Sequence, residues 1–204
     1  MYTYNKVTGF KDLYILEPRK FKDERGYFYE CFNALEFLDN TGIKFEVFQQ
    51  NESCSYGKVI RGLHWQKEPF QQAKIVRCTE GRLIDIAFDT RENSPSKGKA
   101  FAVYLDEYSG RQLYIPEGMC HGFITVGDGN AITRINYLTN DVYNKESDGG
   151  FLLTYDILKQ ALSTIDFNKE YDISKKDIEN ILKDFENEKF TLSEKDKNLP
   201  LFEL

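Results

Sequence analysis

The first 150 residues are a succession of short β-type runs punctuated by glycine: "GYFYECF", "KFEVFQQNES", "AKIVRCTEG", "RLIDIAFDT", "KAFAVYLDE", "RQLYIPEG", "CHGFITVG" and "AITRINYLT". Many short strands separated by turn signals leave room for little but a β-sandwich or barrel. With 204 residues the chain is long enough to bury a substantial core, and we read residues 1–204 as one domain. Residues 1–150 form its β part and 151–204 a helical C-terminal region.

Alternation along the strands assigns faces. In "RLIDIAFDT", Ile84, Ile86 and Phe88 share one face and Leu83, Asp85 and Ala87 the other. Asp85 therefore points away from the Ile/Phe stripe, either into a polar barrel interior or into solvent. One helix is expected at "NALEFLDNTG", where Asn33 can cap, Glu36 follows three residues on and Gly42 can terminate. The C-terminal quarter has a different pattern. "SKKDIENILKDFENEKF" opens with Ser174 and Asp177 at capping-box spacing and carries Ile178, Ile181, Leu182 and Phe185 on one helical stripe. "YDILKQALS" reads as a second, shorter helix. No repeat or Pro/Gly/Ser-rich linker separates these helices from the β region, so they are expected to pack on it.

Hydrophobic residues at 41%, with 15% aromatic, exclude a disordered chain, and a net charge of −6 argues against a general polyanion binder such as a nucleic-acid protein. A local basic site for phosphate stays open. No apolar run has transmembrane length, and the N-terminal stretch lacks a signal-peptide pattern, which predicts a cytoplasmic protein with no membrane partner. Cys31, Cys54, Cys78 and Cys120 are far apart, without a CxxC pair, so free and mostly buried thiols are expected.

The chain has two histidines, and "RGLHWQ" holds one of them beside Arg61 and the single tryptophan, at the end of what reads as a tight turn at Gly62. Two histidines cannot make a three-histidine metal site, and no HxH pair exists; a two-histidine, one-carboxylate site remains open, and with it a metal-dependent oxygenase. Cys120 and His121 are adjacent, so on a strand they face opposite ways and do not form a nucleophilic pair. Metal-free acid/base chemistry needs a base, a cation for developing negative charge and an acid. His64 suits the first role and Lys74 or Arg61 the second. On "AKIVRC", Lys74 alternates with Ala73 and Ile75 and so can point inward while they point out. Thirteen tyrosines leave the acid undetermined by pattern.

The ordered blocks "DERGYFYE", "FQQNES", "RGLHWQ", "QQAKIVRCTEGRLIDIAFDTRENSPSKGK", "RQLYIPEGMCHGF" and "LSEKDKNLPL" resemble the dTDP-4-dehydrorhamnose 3,5-epimerase family, over residues 7–150 and again over 191–201. The resemblance implies a mainly β, cupin-like jelly-roll barrel with a few peripheral helices, acting as a homodimer without metal or other cofactor on a dTDP-linked 4-keto-6-deoxyhexose. It implies His64 as general base with Asp196 as its carboxylate partner, Lys74 as stabiliser of the enolate oxygen and Tyr137 as acid. It further implies Arg25, Glu30, Gln49, Asn51, Arg61, Gln72, His121 and Tyr143 in binding the sugar or diphosphate, and Asp85 in support. Arginine suits the diphosphate because its planar fork donates two parallel hydrogen bonds.

The chain departs from the family pattern after Tyr143. The usual tryptophans are missing, and a helical insertion is expected around residues 168–190, across which Asp196 must return to His64. The expected activity is inversion of C3″ and C5″ of dTDP-4-dehydro-6-deoxy-D-glucose for surface-polysaccharide synthesis. The alternatives are inversion of one centre, another nucleotide-linked keto sugar, migration of the ketone from C4 to C3, or a non-catalytic sugar-nucleotide-binding module, which would require loss of the His–Asp pair that this sequence keeps.

Overall fold

The computed structural model describes residues 2–167 and 173–203. Eleven of its strands form two antiparallel sheets. The larger contains β1 (Tyr2–Lys6), β2 (Tyr14–Pro18), β10 (Gln112–Ile115), β7 (Lys74–Glu80), β12 (Ile132–Thr139) and β5 (Gln49–Tyr56), in that order. The smaller runs β13 (Asp148–Gly150), β6 (Ile60–Gln66), β11 (Met119–Thr125), β8 (Arg82–Asp89) and β9 (Ala100–Asp106). A separate hairpin pairs β3 (Phe21–Asp23) with β4 (Gly26–Phe28). Two packed antiparallel sheets of this kind make the jelly-roll, cupin-like sandwich expected above.

Strand alternation divides the core into three layers. Between the sheets lie Leu83 and Ala87 of β8, Phe101, Val103 and Leu105 of β9, Val76 and Cys78 of β7, and Leu113 and Ile115 of β10. Asp85 shares that inner face and is fully buried, which resolves its orientation in favour of the barrel interior. The outer face of the smaller sheet carries Ile84, Ile86, Phe88, Ala100, Ala102 and Tyr104, covered by Leu158, Ala161 and Leu162 of α2 (Tyr155–Leu162) and Ile181 of α3 (Lys175–Glu186). This covering explains why every residue of β9 is buried. The larger sheet is closed by α1 (Ala34–Thr41), whose Phe37 packs with Phe45 against Tyr14, Leu16, Ile75 and Tyr114. Phe37 has no exposed surface, and its burial contributes about 2–3 kcal/mol.

The helix ends follow their caps. Asn33 accepts from the backbone N–H groups of Leu35 and Glu36, and Gly42, at φ 73°, donates to the Leu38 carbonyl. Glu36 does not complete a capping box; its carboxylate accepts from the Tyr2 N–H at 2.8 Å and ties the N-terminal strand to the helix. Ser174 and Asp177 do form a reciprocal capping box on α3. Residues 168–172, the start of the expected insertion, lie outside the described residues.

Several local expectations need correction. "GYFYECF" is a strand only at Gly26–Phe28, and "KFEVF" is not a strand, pairing beginning at Gln49. The N-terminal segment supplies two strands that its scattered charges concealed. All four cysteines are free, but Cys31 is exposed and Cys54 partly so. Among the described residues no helix is long and apolar enough to cross a membrane.

Candidate active site

A cavity of about 530 Å³ opens between the two sheets, lined by Arg61, His64, Lys74, His121, Tyr137 and Asp196 among others. Its construction depends on Gly62. Arg61 and His64 are three residues apart, so on a plain strand they would face opposite ways. Along this part of β6 the register against β11 shifts: His64 pairs with His121 and Arg61 with Phe123, leaving one extra residue on β6. That bulge turns Arg61 and His64 to the cavity together, while Ile60, Leu63 and Trp65 all join the outer core. Gly62 sits there at φ 95°, and a Cβ on it would lie 2.5 Å from the His121 carbonyl oxygen. Gly62 is therefore a bulge within a strand, not the tight turn that the sequence suggested.

Asp196 reaches His64 from α4 (Glu194–Lys197). Thr191 forms a parallel bridge with Val59, and Ser193 caps α4 by accepting from the Asp196 N–H at 3.1 Å. Asp196 Oδ1 then lies 2.6 Å from His64 Nε2. Burial alone would raise the Asp196 pKa; the hydrogen bond and charge of His64, with the Ser193 and Gly62 donors, outweigh it and hold the carboxyl below its ordinary value. An ionised Asp196 places the imidazole proton on Nε2 and leaves Nδ1 as the basic nitrogen. Among the described residues Nδ1 has no hydrogen-bond partner.

A second pair stands beside the first. His121 Nε2 lies 2.6 Å from Asp85 Oδ1, both side chains are buried, and among the described residues Asp85 Oδ2 has no hydrogen-bond partner. Lys74 enters from β7 with its Nζ 3.5 Å from the His64 carbonyl oxygen. Burial lowers its pKa, and the charges of Cys120, Asp85 and Asp148 oppose that shift. Tyr137 lies on β12, its ring centroid 6.5 Å from that of His121. Burial raises its pKa against the opposing charge of Arg61, so at neutral pH the phenol keeps its proton. The two sheets thus contribute different groups: His64, His121 and Asp85 come from the smaller, Lys74 and Tyr137 from the larger.

The family model described as dTDP-4-dehydrorhamnose 3,5-epimerase matches residues 7–203. The chain belongs to the dTDP-4-dehydrorhamnose 3,5-epimerase family. The dTDP-4-dehydrorhamnose 3,5-epimerase of Shigella flexneri is 44% identical over 145 residues, covering 71% of this chain and 78% of that one. The crystal structure of the enzyme of that name from Elizabethkingia anophelis NUHP1 superposes with TM-score 0.76 at 38% identity, over 98% of this chain and 96% of the other. The dTDP-6-deoxy-D-glucose-3,5-epimerase of Legionella pneumophila Philadelphia 1, solved with dTDP-4-keto-L-rhamnose, superposes with TM-score 0.76 at 28% identity over 100% of both chains.

The other residues that the family resemblance singled out are distributed unequally around this epimerase-family cavity. Arg61 spends two donors on Ser55 Oγ (3.0 Å) and the Cys54 carbonyl (2.9 Å), and three of its five N–H groups remain for a ligand. Asn51 pairs across the ladder with Tyr137 and so shares its face. Gln49 donates to Asn51 and accepts from the Tyr143 N–H, whose phenol donates to Asp148 at 2.9 Å. Gln72 donates to the Asp141 carbonyl and, like Gln49, Asn51 and Tyr143, does not line the cavity itself. Arg25 pairs with Asp23 on the β3–β4 hairpin, and Glu30 is exposed; neither lines the cavity of its own chain. The sequence reading passed over Ser53, Ser55 and Lys195, which do line it. Asn51, Ser53 and Ser55 recur every second residue, the signal of one strand face, and Lys195, which bonds Asp148, is the neighbour of Asp196.

Proposed function

We propose that this chain inverts C3″ and C5″ of dTDP-4-dehydro-6-deoxy-D-glucose, giving dTDP-4-dehydro-L-rhamnose for surface-polysaccharide synthesis. The observation that carries this reading is a carboxylate-held histidine on one sheet facing a cavity into which a protonated tyrosine projects from the other sheet. The C4″ ketone acidifies both neighbouring C–H bonds, so the reaction calls on no metal or other cofactor. His64 removes the proton, and the imidazolium that forms is stabilised by Asp196. Lys74 offsets the charge that develops on the enolate oxygen, in a setting where water screens it little. Tyr137 returns a proton from the opposite face of the ring, and inversion results. Arg61 binds the diphosphate, with Gln49, Asn51, His121 and Tyr143 contributing to the nucleotide-sugar site and Asp85 holding His121.

In this reading the C-terminal helical region and the barrel act as one catalytic unit, because Asp196 belongs to the former and His64 to the latter. The protein works as a homodimer in the cytoplasm, a reducing compartment in which four free thiols are at home. Arg25 and Glu30 bind substrate only if a second copy brings its hairpin to the cavity, and the exposed Phe21, Tyr27 and Phe28 give that hairpin an apolar surface to bury. The test is proton NMR of the purified protein with dTDP-4-dehydro-6-deoxy-D-glucose in D₂O. Deuterium at both C3″ and C5″ with appearance of the L-sugar is the expected result. Exchange at one centre would replace the reading by a single-centre epimerase, and absence of exchange with this substrate would overturn it.

A further inference from the structure

A carboxylate and a pair of backbone hydrogen bonds tie the end of the helical insertion to the strand that leads into the cavity wall. Asp184, near the C-terminal end of α3, accepts from the ammonium groups of Lys58 and, at 2.8 Å, Lys189. Its side chain is only 14% exposed, unlike an ordinary surface ion pair, and the two lysines hold its carboxyl below the usual carboxylate range. Lys58 is also held by its backbone: its carbonyl accepts from the Thr191 N–H at 2.8 Å, and the Thr191 carbonyl accepts from the Ile60 N–H at 3.1 Å. Asp184 therefore fastens the start of β6 and the end of the insertion to each other. A single residue separates Thr191 from the Ser193 cap that orients Asp196, and a single residue separates Ile60 from the Gly62 bulge that orients His64. Both halves of the dyad thus hang from the segments that this carboxylate joins.

We infer that Asp184 is a positioning residue for the epimerisation, clamping Lys58 and Lys189 so that the Thr191–Ser193 segment delivers Asp196 to His64. This rests on the epimerase reading above. The apolar stripe of α3 fixes the helix on the sheet, whereas the clamp fixes the register of the returning segment against β6. A displacement of about 1 Å in a catalytic group costs on the order of a hundredfold in rate, so partial loosening is expected to cost about tenfold.

The test measures kcat and KM on dTDP-4-dehydro-6-deoxy-D-glucose for the wild type, Asp184→Asn, Asp184→Glu, Lys58→Met, Asp196→Asn and the Asp184→Asn/Asp196→Asn double variant, with melting curves in parallel. Slow variants are followed by deuterium uptake at C3″. Asp184→Asn and Lys58→Met are expected to lower kcat about tenfold with KM within about twofold, and Asp184→Glu to keep most of the activity. In the Asp196→Asn background, Asp184→Asn should cost less than about twofold, because the group it positions is already gone. Wild-type kcat in both Asp184→Asn and Lys58→Met overturns the inference, as does an equal loss with and without Asp196. No turnover by the wild type would overturn the epimerase reading and this one together; wild-type turnover with both Asp184→Asn and Lys58→Met unaffected overturns this one alone.

Discussion

Asp196 accepts from His64 while receiving the Ser193 and Gly62 donors, so the proposed base and the carboxylate beside it form one hydrogen-bonded unit. His64→Asn and Asp196→Asn are each expected to lower kcat by about 10²–10⁴, with dTDP affinity measured by calorimetry within about twofold of wild type. Asp89 makes a different kind of prediction. Its fully buried carboxylate accepts from Arg91, Ser94 and Ser96, and although burial opposes them these bonds hold its pKa at about 2. A depressed carboxylate stabilises the fold fully above its unfolded value near 4, and that contribution is lost as pH falls toward 2. It amounts to about 2 kcal/mol. The wild type should therefore lose stability more steeply than Asp89→Asn between pH about 4 and 2 in urea unfolding; parallel curves would remove Asp89 from the account. At this scale the cavity lining was legible where a motif word carried it, as for His64, Lys74 and Asp196. Ser53 and Ser55 were missed because serine on a strand carries no chemical signature of its own, and only their place opposite β12 brings them to the cavity.

On the scale of elements, β6 shows what periodicity cannot convey. Alternation assigned the faces of β7 and β8 correctly, since neither interrupts its pattern at the residues concerned. On β6 one extra residue reverses the pattern midway, and the glycine that signals it reads equally well as a turn. Gly62→Ala introduces a side chain at positive φ against the His121 carbonyl and is expected to cost about 1–3 kcal/mol by thermal unfolding. It should also lower kcat, because the bulge aims Arg61 and His64 together. The four-residue α4 was not foreseen, whereas α1, α2 and α3 were legible from caps and apolar stripes. Their destination was not, because Ile181 joins a core with Ile84, Ile86 and Phe88 of β8 and Ala102 and Tyr104 of β9, all far from it along the chain. Ile181→Ala should destabilise by about 2–4 kcal/mol, with kcat falling little at temperatures where the variant stays folded.

For the whole molecule, the jelly roll was legible as many short strands between glycines, but the order in which those strands pair depends on contacts far apart in sequence. Arg25 and Glu30 illustrate the remaining gap: a resemblance assigns them to substrate, and a single chain leaves both outside the cavity. The dimer reading predicts that light scattering gives twice the chain mass and that Phe28→Asp, a charge on a side chain 71% exposed in one chain, shifts the protein toward monomer and lowers activity together. The central claim, that base and acid approach the sugar from opposite sheets, is tested most directly by following deuterium into C3″ in D₂O for Tyr137→Phe and His64→Asn. The account predicts that Tyr137→Phe still exchanges the C3″ proton through His64 while inversion falls by about 10²-fold or more, and that His64→Asn neither exchanges nor inverts. Undiminished inversion by Tyr137→Phe, or undiminished exchange by His64→Asn, would contradict it.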